Sequence, residues 1–180
     1  MSKAVNVLFL DIDGVLNSED YYRSLSAKQK KALSIDRRCV ARVRHIVDTT
    51  QAVIVLTSSW REGWNRNPDL LLEEGQILNR IFGEYGLNIY DKTPFSQTGR
   101  RPEEIRQWLE HCKEKIHRYV ILDDFDFRWK EYRMYRHWVA TDYLHGGLSD
   151  DQAERAIELF GRSGLYFLME RFASKYRRGQ

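Results

Sequence analysis

The sequence predicts an α/β fold in which a five-stranded parallel sheet is covered by helices on both faces. Three observations lead there. Short apolar runs recur at residues 5–10, 52–56, 87–90, 119–122 and 137–141, as strands buried on both faces require. Stretches with helical spacing of apolar residues separate most of them, and this alternation builds a parallel sheet with crossover helices. Three of the runs stop abruptly at polar groups, Asp11-Ile12-Asp13, Thr57-Ser58-Ser59 and Asp123-Asp124, and ligands in open α/β sheets bind beyond such strand ends.

The first run ends in Asp11 and Asp13, followed by Gly14. Along an extended chain, side chains two apart share a face, so both carboxylates can enter one small volume. Acids that close are relieved by a bound cation or a shared proton, and Gly14 permits a sharp turn or a close ligand. A capped turn is the plainer account of the same residues.

Residues 17–35 are polar and turn-rich and read as a long loop or flap. Asp36 caps a helix to about residue 48, with Val40, Val43, Ile46 and Val47 inward and Arg37, Arg38, Arg42 and Arg44 mostly in solvent. The run 52–56 stops at Thr57 and Ser58, whose hydroxyls and backbone amides suit a phosphate or, more plainly, a helix cap. Residues 60–69 read as loop. A helix over 70–82 follows, carried by Leu71, Leu78, Ile81 and Phe82, with Gly86 as its stop. A strand at 87–90 and a loop at 91–99 lead to a helix with Pro102 in its first turn and Glu103 and Glu104 at its positive end.

The run 119–122 ends in Asp123-Asp124, and residues 125–136 then interleave aromatic and basic side chains. Exposed, that segment can stack bases and hold phosphates; otherwise Phe127, Trp129 and Tyr132 pack beneath the sheet. After the strand at 137–141, Ser149 and Gln152 have capping-box spacing and open a helix to about residue 160. The tail, about 161–180, has an apolar half and a basic end.

With 180 residues, 42% of them hydrophobic and 31% charged, the chain suits one globular domain over 1–180. Its net charge of +3 permits an anionic partner without requiring one. The sequence holds no run of about 18 apolar residues, so no membrane span is expected, and no signal-peptide core precedes the first strand. Cys39 and Cys112 lack C-x-x-C spacing and read as reduced packing residues of a cytoplasmic protein.

Asp-Ile-Asp-Gly-Val-Leu after an apolar strand resembles the first motif of the haloacid dehalogenase (HAD) superfamily. Thr57 stands where the second motif places a hydroxyl, with Ser58 the alternative one residue on. The third motif, a Lys or Arg near the start of the helix before the fourth strand, falls to Arg101, then Arg100, then Lys92. Asp123-Asp124 resembles the acidic fourth motif. The resemblance implies a Rossmann-like three-layer sandwich, with the first strand central, the second and third on one side and the fourth and fifth on the other. The gaps between motifs are too short for the cap domain many members carry. The fuller strings, including Thr-Ser-Ser-Trp-Arg and Arg-Pro-Glu-Glu-Ile, are similar to the small HAD domains associated with RNA-repair proteins and to the phosphatase half of polynucleotide kinase-phosphatase.

What the resemblance implies is a phosphatase working through an aspartyl-phosphate, with Asp11 as nucleophile and Asp13 as general acid and base. A magnesium ion (Mg2+) would be held by Asp11, the Asp13 backbone carbonyl and Asp123 or Asp124, and the phosphoryl group by Thr57 or Ser58 and Arg101. RNA or DNA ends lead as substrates, ahead of nucleotides and phosphoproteins. The rival of another class is a nucleic-acid-binding module that keeps the site without turnover. A receiver-like signalling module is disfavoured, because it places adjacent acids, and not D-x-D, after its first strand.

Overall fold

The computed structural model describes residues 4–26, 29 and 35–161. Its strands are β1 (Val5–Leu10), β2 (Val53–Leu56), β3 (Ile89–Lys92), β4 (Ile116–Asp123) and β5 (Trp138–Ala140), and its helices α1 (Glu19–Ser24), α2 (Arg37–Thr50), α3 (Glu73–Glu84), α4 (Arg101–His111) and α5 (Asp150–Gly161). The strands form one sheet in the order β3-β2-β1-β4-β5, and every pair is parallel. The chain therefore builds outward from β1 on one side, then returns to the other side through β4.

Alternation along the central strands divides the core into two layers. Leu8 and Leu10 of β1 join Ile54, Leu56, Val120 and Leu122 beneath α2, α3 and α5. Val7 and Phe9 join Val55 and Ile121 beneath Ile105 and Trp108 of α4 and beneath Trp129 and Met134. Each such buried side chain contributes about 1.5–3 kcal/mol relative to exposure. A one-residue slip of β1 would exchange its two faces, so the core fixes the register.

Local chemistry sets the helix ends. Asp36 caps α2, accepting a hydrogen bond from the Arg38 backbone N–H at 2.9 Å. Ser149 and Gln152 form the capping box before α5: Gln152 N–H donates to Ser149 Oγ at 3.3 Å, and Ser149 N–H to Gln152 Oε1 at 2.7 Å. Gly86 turns the chain after α3 with φ of +64°, a conformation that suits glycine.

Several expectations shift. The stretch read as a loop from residue 17 contains α1, whose cap is Ser18; none of its residues is buried, so it carries no core-facing stripe to reveal it. α3 begins at Glu73, because 3-10 turns occupy Ser59–Glu62 and Pro68–Leu70. β3 lies two residues later than expected. Leu87 is buried in the core before the strand begins, and Asp91 and Lys92 complete the ladder against Val55 and Leu56, which an edge strand tolerates. β4 starts earlier, with Ile116 and Arg118 paired to Val5 and Asn6. The α2 arginines do more than meet solvent: Arg42 pairs with Asp150 of α5, and Arg37 with Glu84 of α3. Cys39 and Cys112 are free thiols, as expected. The tail beyond Gly161 lies outside the described residues, as do 27, 28 and 30–34 of the expected flap. No described helix is long and apolar enough to cross a membrane.

Candidate active site

Three adjacent strands end level with one another. Leu10 of β1 is paired with Leu56 of β2 and with Leu122 of β4, so the next residue on each strand, Asp11, Thr57 and Asp123, stands at the same height on the sheet's carboxyl edge. The ladder extends one step to hold them there: Asp11 N–H donates to Leu122 O at 3.0 Å, and Thr57 N–H to Leu10 O at 2.9 Å. Because β1 and β4 flank the point where strand order reverses, these residues surround the usual ligand crevice of a doubly wound sheet.

Asp11, Asp123 and Asp124 each offer a carboxylate oxygen within 4.8 Å of the others. Asp11 is fixed at both oxygens: Oδ1 accepts from the Ile12 N–H at 2.9 Å, and Oδ2 meets Arg101 at 2.6 Å. The same Arg101 nitrogen lies 2.6 Å from Asp123 Oδ2. Phe127 lies against the guanidinium, its ring centre 4.9 Å from Arg101 Cζ. Asp124 approaches from beside Gly14, whose φ is +76°; a Cβ at position 14 would lie 2.4 Å from Asp124 Cγ.

The electrostatics follow from crowding and burial. Burial, opposed by Arg101 and reinforced by the Asp11 charge, pushes the Asp123 carboxyl up to about 7. Burial and then Asp11 also raise Asp124. Burial works against the Arg101 charge, but Asp123 and Asp11 outweigh it and hold the guanidinium above its ordinary range. One arginine does not balance three carboxylates. The oxygen-only donor set, with its excess negative charge, fits a hard divalent cation.

Of the three candidate cations, Arg101 reaches the cluster. Arg100 is exposed and donates to the Tyr132 hydroxyl at 3.2 Å. Lys92 donates to the carbonyls of Arg61 and Trp64 at 2.8 and 2.6 Å, bracing the loop after β2. The hydroxyls separate as clearly. Ser58 caps the 3-10 turn through the Trp60 N–H, whereas Thr57 Oγ1 is buried with no hydrogen-bond partner among the described residues. A buried hydroxyl left unpaired is costly, and such groups are kept where a ligand satisfies them.

The Asp13 carboxylate stands outside the acidic trio, exposed at the mouth of the crevice. Its Oδ1 accepts from Asn17 Nδ2 at 2.8 Å and its Oδ2 from Trp60 Nε1 at 3.1 Å. Asn17 also accepts the Gly14 N–H at 2.9 Å, closing the turn after β1.

The sequence assigned no role to Arg61 and only that of an acid at the helix's positive end to Glu104. Arg61 donates to the carbonyls of Thr57 and Ser58 at 2.6 and 3.0 Å and pairs with Glu104 at 2.8 Å. The Phe95 ring centre lies 4.0 Å from Arg61 Cζ. No spacing in the sequence links Arg61 to Glu104, which lie 43 residues apart. The aromatic and basic segment after Asp124 divides: Trp129 and Met134 are buried and Phe127 and Tyr132 partly so, while Phe125 is 60% and Tyr135 47% exposed.

A family model described as the HAD domain in Swiss Army Knife RNA repair proteins matches residues 7–153, a span that takes in every residue named above as part of the site. No curated protein matches the chain.

Proposed function

The chain belongs to the HAD family of Swiss Army Knife RNA repair proteins, and from that premise we propose that it is a Mg2+-dependent phosphomonoesterase acting on the phosphorylated ends of RNA or DNA. The single observation that carries this reading is the level meeting of Asp11, Thr57 and Asp123 at adjacent strand ends. It brings a carboxylate able to serve as nucleophile, a buried hydroxyl and a second acid around one point, which is what the reading needs.

In this reading Asp11 attacks phosphorus, and a bond to its carboxylate oxygen forms as the bond to the leaving oxygen breaks. Asp13 gives that oxygen a proton, then takes one from the water that attacks the aspartyl-phosphate; phosphate leaves and Asp11 is restored. Arg101 offsets the charge on Asp11 and on the phosphoryl oxygens, and Thr57 donates a hydrogen bond to one of them. Asp11, the Asp13 backbone carbonyl and Asp123 or Asp124 would hold the magnesium ion, whose contribution is further neutralisation of the phosphoryl charge.

The preference for nucleic-acid ends rests on three supports. Among the described residues the gaps between motifs hold α1 and α2, then two 3-10 turns, α3 and β3, too little for a separate domain over the crevice, which leaves room for a polymer end. The exposed Phe125 follows Asp124 directly and offers a face on which a base can stack. The family is one of RNA-repair proteins.

A phosphate-release panel tests the reading, with magnesium present and 3′- and 5′-phosphorylated oligonucleotides set against mononucleotides, sugar phosphates and phosphopeptides. Release from oligonucleotides that Asp11→Asn abolishes is the expected result. Equal release from sugar phosphates with none from oligonucleotides would overturn the substrate class. Oligonucleotide binding without release from any substrate would replace the enzyme by a binding module.

A further inference from the structure

The two hydrogen bonds on Asp13 come from two different loops. Asn17 belongs to the turn after β1, so its bond is local. Trp60 belongs to the 3-10 turn after β2 and reaches across to Asp13 with its indole N–H at 3.1 Å. That turn is braced from below. Ser58 Oγ accepts the Trp60 N–H at 3.4 Å, and Arg61, the next residue, ties the turn to the Thr57 and Ser58 carbonyls and to Glu104 of α4. The indole also packs against the core layer beneath α2 and α3. Its position is therefore set by the sheet, whereas Asp13 is an exposed side chain on a turn, which left alone would sample several rotamers.

We propose that Trp60 is a positioning residue for Asp13, fixing the plane of its carboxyl so that proton delivery to the leaving oxygen occurs from one orientation. The inference rests on the phosphatase reading and deepens it. With one oxygen held by Asn17 and the other by Trp60, rotation about the Asp13 side-chain bonds breaks at least one bond, so the acid is pre-organised before substrate arrives. Each oxygen keeps a second lone pair, and one of these carries the transferred proton. Trp60 touches neither phosphorus nor the leaving oxygen in this scheme; it acts through Asp13.

The role predicts a dependence on leaving group that a merely structural residue would not show. Expulsion of p-nitrophenolate needs little protonation, whereas expulsion of a sugar hydroxyl needs it fully. Trp60→Phe keeps the ring and removes the N–H. Its kcat/KM on a 3′-phosphorylated oligonucleotide should fall about tenfold, a part of the 10²–10⁴ that a placed general acid supplies, with less than about a twofold change on p-nitrophenyl phosphate. An equal loss on both substrates, or no loss on either, would overturn the proposal.

The contact itself is read without turnover. In metal-free protein the Trp60 indole proton, followed by NMR, should exchange with water more slowly in the wild type than in Asp13→Ala. Unchanged exchange would remove the bond and the proposal with it. Wild-type protein that releases phosphate from neither substrate would overturn the phosphatase reading and the catalytic meaning of Trp60, while slowed exchange would still establish the contact, so the two failures are distinguishable.

Discussion

Arg61 and Glu104 form an ion pair at 2.8 Å in which the side chains are only 4% and 3% exposed. Glu104 lies one turn along α4 from Arg101, and Arg61 holds the carbonyl of Thr57. The pair thus couples the helix that carries the site's arginine to the loop that carries its hydroxyl. Glu104 also accepts the Ser96 N–H at 3.1 Å, tying in the segment that leads into α4.

Breaking that pair should be severe. Glu104→Gln leaves the Arg61 guanidinium, already depressed in pKa by burial, with a neutral partner. Loss of one member of a buried pair costs about 3–5 kcal/mol. Urea unfolding should show a drop of that order for Glu104→Gln, and a substantial recovery for the apolar double replacement Arg61→Met with Glu104→Leu. If the single change leaves the midpoint unmoved, the pair is not the brace described.

Crowded acids should make the metal-free protein less stable than it can be. Removing one negative charge in Asp124→Asn should raise its stability by about 1 kcal/mol, in the way that altering a strained site often does. Magnesium at a hundredfold excess over its dissociation constant adds about 2.7 kcal/mol, so the wild-type melting temperature should climb by about 5–10 °C. The climb should shrink in Asp124→Asn. An identical magnesium response in wild type and variant would take Asp124 out of the cation site.

Two buried groups contribute to the pH dependence of stability with opposite sign. His137 stacks on Tyr119 with ring centres 4.0 Å apart, and its Nδ1 lies 3.1 Å from the Tyr119 carbonyl. Burial lowers its pKa from the ordinary 6.5. The unfolded chain therefore takes up a proton at this histidine before the folded one does, and the imidazole's contribution is intact above 6.5 and eroded as pH falls below it. Asp123 does the reverse in metal-free protein. Its carboxyl, raised from 3.8 to about 7, binds a proton in the fold first, so stability is gained as pH falls through 7. Subtracting the His137→Gln profile from the wild-type one isolates the histidine. The urea midpoint of the variant should fall less between pH 7.5 and 5.5, and parallel profiles would mean that burial does not perturb His137.

The strand ends were readable in the sequence because polarity changes there within one residue. Asp11, Thr57 and Asp123 each follow an apolar run directly, and runs buried on both faces leave little choice of where the strand stops. Arg101 was readable only through the resemblance to the family's third motif, ahead of Arg100 and Lys92, since an arginine at a helix start is commonplace. Arg61 was not, because an arginine in a polar loop reads as solvated; its burial is decided by Glu104 and Phe95, which folding alone brings near. Trp60 was hidden for a related reason, since its indole N–H finds Asp13 from the loop after the neighbouring strand. α1 carries no buried residue and so leaves no periodic trace, and β3 was misplaced because Leu87, the best apolar residue of that stretch, belongs to the core and not to the ladder.

The absent side chain at position 14 makes that position and Asp124 interdependent. An L-residue there is barred twice, by the backbone torsion and by the acid already occupying its space. Relaxing the turn would answer only the first objection, and retracting Asp124 to answer the second would pull its carboxylate away from Asp11 and Asp123. One missing methyl group therefore decides whether the Asp124 carboxylate can stand beside Asp11 and Asp123, and position 14 admits no larger side chain while Asp124 is kept at its post.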